Sequence, residues 1–553
     1  MVGLGILYIT PALAQTIPSI PSAAEAGRPQ AQPLLPLSGG VGQAMRVPQS
    51  AATEAPPGAE NYRMVLQNMQ IEGVSAFSSP SIQALYAQYL GTEVTVASLY
   101  AVAVALEVKY REAGFVSSRV LVPEQTIDSG TFKIQVLEGY VSDIVYNETI
   151  GEAREALRTL MQPLLRQKPV TIAEIERRLL LANDLSGLQV RANLQAAPDN
   201  KTGASVLVVE ASRKAYSGTL SADNRNSPYM GENQLNGAFT VNSFGSHADT
   251  LTISGNITNP GQRSVYAGLQ YTALLNEDGV TGAVSSSNSH SEPGLSLEVL
   301  GIKSNVVSLI GTVTYPVIRS RQHNLRAVAE FEVRDIDTSL GPDPFNRDAL
   351  RIARLGVSYD RADSWNGITA VRANLHQGVP LMGATKKGDK LASRVQGDGS
   401  FTKLTVDLTR VQQLSSGTSV LARATLQQAS TQLLASEQIA LGGGNYGRAY
   451  DSGEVSSDNG WAASLELRYS PSHLALLPQG VQFYTFIDGG EVHSQSAERL
   501  TGATRVASYG AGVRANLTAN LLGTMEVSQP AEGNVGTLND KPTRLFLSLT
   551  TQF

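Results

Sequence analysis

The chain has 553 residues, too many for one ordinary domain, so several units are expected. Its net charge of −5 is modest and no basic run occurs, which argues against nucleic acid as a partner. Charged residues are only 16%, yet no stretch has the roughly 18 consecutive apolar residues of a spanning helix. A membrane helix bundle is thereby excluded, whereas a β-barrel is not, because half of its strand residues can be polar. With no cysteine there is neither a disulfide framework nor thiol catalysis, a composition that fits an oxidising compartment.

Residues 1–15, MVGLGILYITPALAQ, read as a secretory signal peptide cleaved after Ala12-Leu13-Ala14, leaving residues 1–14 behind. A disordered N-terminus is the alternative, since the apolar region is short and no positive charge precedes it. Residues 15–61 are rich in Pro, Ala, Gly, Ser and Gln and read as a linker. Its one helical candidate, Ser22–Gln32, is weakened by Gly27 and Pro29.

Residues 62–140 change texture. A strand is expected over Met64–Glu72, a short helix over Ser81–Leu90, and a longer one over Val96–Ala113, where Leu99, Val102, Leu106 and Tyr110 keep helical spacing. Strands over Ser118–Val122 and Thr131–Glu138 follow. This β-α-α-β-β order, with Tyr110-x-x-x-Gly114-Phe115 and Pro123-x-Gln125, resembles a POTRA domain. An unrelated small α+β domain is the alternative. Residues 141–212 repeat the plan: a strand Val141–Tyr146, a helix Glu152–Leu165, a second helix capped by Thr171 with Glu174 three residues on, and strands Leu188–Gln195 and Ser205–Glu210.

Residues 213–553 alternate between Gly/Asn/Ser/Asp-rich turns, as in Leu251-x-Ile253-x-Gly255-x-Ile257 and Tyr509-x-Ala511-x-Val513. Arg514 sits on the polar face of the latter strand. At mid-membrane on a lipid face it would cost about 2–4 kcal/mol, so that face must see water. At roughly 21 residues per strand with its connection, this region holds about 16 strands. The final strand places Leu545, Leu547, Leu549 and Phe553 on one face. It resembles the terminal signal by which bacterial barrels are recognised for assembly, with Leu547, Leu549 and Phe553 its core.

The most informative stretch is residues 441–490. A turn-rich head, 441–460, precedes two alternating segments, Trp461–Tyr469 and Val481–Asp488. Gly443-Gly444, Gly447-Arg448-Ala449-Tyr450, Ser457-Asp458-Asn459-Gly460 and Glu466-Leu467-Arg468 occur in order, and Phe486-x-Asp488-x-Gly490 follows. Taken alone, the glycines are equally a flexible turn and Arg448 a solvated charge; they are not a P-loop, since no Lys-Ser/Thr follows at the required spacing. Together these elements resemble the signature of TpsB two-partner-secretion transporters of the Omp85 superfamily, the haemolysin secretion/activation proteins of ShlB/FhaC/HecB type. Gly447 and Ala449 depart from that family's Val-Arg-Gly-(Phe/Tyr) tip.

The resemblance implies two periplasmic POTRA domains followed by an all-β outer-membrane barrel of sixteen antiparallel strands. It implies that 441–460 folds inward, that Arg448 pairs with Asp488 in the lumen, and that Tyr450 packs beside them. It also places a plug helix in the pore, for which Ser22–Gln32 is the candidate. The implied partners are an unfolded TpsA-type exoprotein, outer-membrane lipid and the barrel assembly machinery, with no cofactor.

No catalytic or metal-binding constellation is found: the six His are scattered, and there is neither a Gly-x-Ser-x-Gly elbow nor a zinc motif. The alternatives are an Omp85-type insertase, a diffusion porin and a barrel-anchored enzyme. The first is disfavoured by two POTRA domains rather than three or five, the second by the large periplasmic portion, and the third by the lack of a nucleophile–base pair.

Overall fold

The computed structural model describes residues 20–25, 34, 54–127, 129–147, 150–198, 201–259, 263–471, 480–495, 502–532 and 542–553. Two α+β units precede a closed antiparallel barrel of sixteen strands, from Tyr216–Asp223 to Arg544–Gln552.

In the first unit, strand Thr131–Leu137 lies between a parallel neighbour, Asn68–Glu72, and an antiparallel one, Arg119–Leu121. Helix Val96–Glu112 buries Leu99, Val102, Leu106 and Tyr110 against that sheet. Its first turn is capped by the Thr95 hydroxyl, which accepts the Ser98 N–H at 3.2 Å. The strand expected over Met64–Glu72 is broken in two. Arg63–Val65 pairs with Glu93–Thr95, and only Asn68–Glu72 joins the main sheet. The break falls at Leu66, which is fully buried and bonds through its backbone to Gly91 and Thr92. Likewise the helix expected over Ser81–Leu90 is a short α-helix, Ser79–Gln83, followed by one 3-10 turn, Ala87–Tyr89.

The second unit repeats this topology. Strand Ala204–Arg213 is flanked by Tyr140–Tyr146, parallel, and Leu188–Ala196, antiparallel. Helices Ala153–Met161 and Ile172–Asn183 cover it. Thr171 accepts the Glu174 N–H at 3.2 Å, but the Glu174 carboxylate goes to Arg178 at 2.6 Å. Half of the expected capping box is thus replaced by an ion pair one turn along the helix.

The units are joined tightly. The Val170 N–H donates to the Gly139 carbonyl at 3.0 Å, and the Ile172 N–H to the Gly114 carbonyl at 2.9 Å. The core of the second unit runs on into the barrel's near-end turns, taking in Ala248 and Leu274. Beside it Arg319 donates twice to the Asp184 carboxylate, each at 2.7 Å.

Strand Asn459–Tyr469 shows the alternation clearly. Trp461, Leu465, Leu467 and Tyr469 face outward and are about half exposed, while Ala462, Ser464 and Glu466 are buried inside. Three strands, Ile302–Arg319, His323–Leu340 and Asp343–Ala362, have 18, 18 and 20 residues. That is nearly twice the about 9–11 needed to cross a bilayer, so they extend past the membrane. The barrel closes where Ser548–Gln552 pairs with Asp223–Thr219. There Phe553 exchanges backbone hydrogen bonds with Gly218, at 2.9 and 3.1 Å. A Cβ on Gly218 would lie 2.4 Å from the Phe553 ring, so only glycine lets the ring sit there.

Residues 1–14 lie outside the described residues. Of the plug candidate, Ser22–Ala24 is a 3-10 turn, and Ala24 packs on Leu297 and Ile302 at the barrel end opposite the two units; residues 26–32 lie outside the described residues.

Candidate functional site: an inward loop held by lumenal charges

Between strands Thr418–Ala429 and Asn459–Tyr469 the chain turns back into the lumen. Ile439–Leu441 pairs with Val455–Ser457 as a short ribbon, and Gly442–Glu454 forms its tip. Three glycines make this geometry accessible. Gly442 has φ +108°, and a Cβ there would meet the Asp451 carbonyl at 2.1 Å. At Gly490, on the barrel wall, a Cβ would lie 2.4 Å from the Trp461 carbonyl and 2.8 Å from Leu441 of the ribbon. Gly460 is similarly confined, with the Glu491 carbonyl 2.7 Å from its Cβ position and Ile439 of the ribbon at 3.2 Å.

Arg448 lies at the tip, its side chain only 4% exposed, amid three buried carboxylates from three strands. Its Nη1 is 2.7 Å from Glu466 and 3.4 Å from Glu526, its Nε is 3.2 Å from Asp488 Oδ2, and its Nη2 donates to Ser464 Oγ at 3.2 Å. The Nε contact with Asp488 is close but not aligned as a hydrogen bond. The best-directed partner of the guanidinium is therefore Glu466. Asp488 instead accepts the backbone N–H groups of Gly447 at 2.8 Å and Arg448 at 3.2 Å, together with the Ser508 hydroxyl.

Phe486 provides the platform: the Arg448 guanidinium lies 4.1 Å from its ring centroid. Tyr450 stands two residues on from Arg448. Its ring is buried with Leu441, Val455, Val492 and Val506, and its hydroxyl donates to the carbonyls of Ala507 and Glu532, at 3.1 and 2.6 Å. Gly443 and Gly444 open the tip, the Gly443 N–H donating to the Tyr450 carbonyl at 3.2 Å.

The carboxylates are shared onward. Glu466 also meets Arg514 at 2.8 Å and Arg468 at 2.7 Å, while Glu526 meets Arg225 at 2.8 Å and the Tyr484 hydroxyl at 2.8 Å. Buried charges require such compensation. Asp458 stands apart at the far end, where it gathers Arg394, the Leu433 N–H at 3.0 Å and the Gln495 N–H at 3.0 Å. It ties two other far-end connections, and the loop's own descending limb, to the base of the loop.

Sequence reasoning missed Glu526 and Ser508, which stand in ordinary alternating strands, and Arg225, in the connection after strand Tyr216–Asp223, with nothing local to mark them. Glu466 belonged to a quoted motif without an assigned partner.

A closed sixteen-stranded barrel with α+β units at one end and a charged loop folded into its lumen defines an outer-membrane protein of the Omp85 type. The family described as Haemolysin secretion/activation protein ShlB/FhaC/HecB matches residues 203–515, and the POTRA domain of ShlB type matches residues 64–139. The chain belongs to this haemolysin secretion/activation family, and it is an outer-membrane transporter of two-partner secretion whose POTRA portion lies in the periplasm.

Among its relatives, the Heme/hemopexin transporter protein HuxB of Haemophilus influenzae (strain 86-028NP) is 23% identical over 478 residues, covering 84% of this chain and 82% of that protein. The Outer membrane transporter CdiB of Dickeya dadantii (strain 3937) is 23% identical over 420 residues, 71% of this chain and 70% of that one. In fold, the chain is similar to CdiB from Escherichia coli, with a TM-score of 0.74, 19% identity and coverage of 92% and 94%.

Proposed function

We propose that two POTRA domains, residues 62–140 and 141–212, receive an unfolded TpsA-type exoprotein, and that it passes through the barrel once the inward loop moves aside. The observation that carries this reading is the form of the loop's attachment. Its tip is held by Arg448, Asp488, Glu466 and Glu526, charges that stay paired with lumenal neighbours such as Arg514 and Arg225. The tip's charge pairs are the part of this attachment that water or a passing polar chain can replace, each carboxylate keeping a second cationic or hydroxyl partner on the wall.

Recruitment is supported by the edge of the second unit. Strand Tyr140–Tyr146 is an outer strand, and the cleft between it and helix Ala153–Met161 is lined by Val145, Tyr146, Arg154, Arg158 and Leu165. An extended client adding to such an edge gains backbone hydrogen bonds that tolerate varied sequence. Transport needs no covalent chemistry: a periplasm has no ATP, and folding at the surface prevents return. Outer-membrane lipid surrounds the barrel, and Leu547, Leu549 and Phe553 serve the assembly machinery during insertion.

The test is co-expression with a candidate TpsA-type exoprotein from the same genome, assayed at the cell surface. Surface appearance only with the intact transporter is expected. Failure of the exoprotein to appear, with a decline of many outer-membrane proteins in the deletion strain, would replace this reading by an insertase.

A further inference from the structure

The limb of the loop that descends into the lumen before the tip is held by a second charge cluster. Its 3-10 turn, Ala435–Glu437, is buried, and the Glu437 side chain is 2% exposed. Glu437 Oε1 accepts from Arg334 Nη1 at 2.9 Å, and its Oε2 lies 2.7 Å from Lys403 Nζ. The same Lys403 also donates to the Glu437 carbonyl at 2.9 Å, and Gln427 does so at 3.0 Å. Side chain and backbone of one loop residue are thus both gripped.

The wall behind it is charge-balanced. Arg334 pairs with Glu332 at 2.7 Å, and Arg354 pairs with both Glu330 and Glu332. Three cations, Arg334, Arg354 and Lys403, meet three carboxylates, Glu330, Glu332 and Glu437. Without Glu437 the wall would keep an uncompensated buried positive charge. Beside this turn Leu433 and Leu434 are fully buried against Leu350, Ile352 and Phe401. The wall strands here are His323–Leu340, Asp343–Ala362, Thr402–Gln413 and Thr418–Ala429. The tip is bound by another arc, Asn459–Tyr469, Gln482–His493 and Leu521–Pro530.

We propose that Glu437 is a second, separate attachment point of the inward loop, and that the lumen clears only when both the Glu437 and the Arg448 attachments are broken. This deepens the transport reading, on which it rests for its purpose, but its geometry requires no client. Glu437 acts here as a positioning residue, with Arg334 and Lys403 as its receptors. Removing one partner from such a buried pair shifts the docked-to-released ratio of the limb by roughly 100-fold or more.

The absence of cysteine makes the test direct. Ser436, 3% exposed, and Ala449, fully buried, are replaced singly by cysteine to report on limb and tip in the full-length protein. A membrane-impermeant maleimide then reads their accessibility, and planar bilayers read resting conductance. In Glu437→Gln, labelling at position 436 is expected to rise at least 10-fold while position 449 stays protected. In Arg448→Ala the pattern is expected to reverse, and conductance to rise strongly only in the double variant. Lys403→Met tests the wall side should Glu437→Gln fail to insert. Equal release of limb and tip by Arg448→Ala alone, or a protected 436 in Glu437→Gln and Lys403→Met, would overturn the proposal. Since neither readout involves the exoprotein, these results stand or fall separately from the secretion assay.

Discussion

Asp488 holds Arg448 by its backbone more firmly than by its charge: one carboxylate oxygen accepts the Gly447 and Arg448 N–H groups, while the other merely approaches the guanidinium. The strongest partner of the guanidinium is Glu466, two positions before Arg468 on the neighbouring strand. Loop shape and loop charge are therefore secured by different wall residues.

Arg448→Ala is expected to insert normally and to secrete at least 10-fold less exoprotein. It removes the cation from three buried carboxylates, a change worth about 3–5 kcal/mol in such clusters. Asp488→Asn should be milder than Asp488→Ala, because an amide oxygen still accepts the two N–H groups. Surface exoprotein, together with heat-modifiable migration as a check on barrel folding, measures both. Wild-type secretion by Arg448→Ala would remove the anchoring role.

The second unit is expected to move with the barrel rather than swing on a hinge. Arg319 and Asp184 form a doubly bonded, largely buried pair across the junction. Breaking it by Asp184→Ala should weaken docking by about 1.5–3 kcal/mol, the range for hydrogen bonds to a charged group. Hydrogen exchange in helix Ile172–Asn183 should speed up in the full-length variant. Unchanged exchange would place the docking energy in the apolar contacts of Ala248 and Leu274 instead.

The first unit carries an acid-sensitive contact. Burial pushes the Glu138 carboxyl up, but donation from the Ser75 hydroxyl and N–H, the Tyr110 hydroxyl and the Ala76 N–H outweighs it and holds the group below the usual range. A depressed folded-state pKa means that the unfolded chain binds protons first as pH falls. The stabilisation is complete above the unfolded value of about 4.3 and is lost as pH drops through the folded value. Exchange protection around Ser75 and Tyr110 in the full chain should therefore fall on acidification. Glu138→Gln should flatten that dependence and lower protection already at neutral pH.

Leu465→Arg places a cation on the lipid face, opposite Ala422 and Ile487 on its neighbouring strands. It should cost about 2–4 kcal/mol near the bilayer midplane. Urea-dependent folding into liposomes measures this. Ser464→Arg, one residue away on the lumenal face, should leave membrane insertion intact and perturb the loop instead.

The barrel and its address were legible along the chain because strand alternation has period two and needs only local order. Arg514 on a polar face, Leu547 with Leu549 on an apolar one, and the motif around Arg448 each carried meaning by position alone. Helix Val96–Glu112 was legible from the local spacing of Leu99, Val102, Leu106 and Tyr110, and helix Ile172–Asn183 from Thr171, since a cap is a contact three residues long. The break at Leu66 was not, because the residue satisfies every local strand preference and is diverted by a core that forms only when Helix Val96–Glu112 docks.

The lumenal charge pairing lay beyond linear reading. Glu466, Glu526 and Asp488 sit on separate strands, and which of them meets Arg448 depends on strand register and on how deeply the loop inserts. Period-two alternation says that each of these side chains points inward. Only barrel closure, which sets the stagger between strands, decides that Arg448 reaches all three while Glu437 finds Arg334 and Lys403 on another part of the wall.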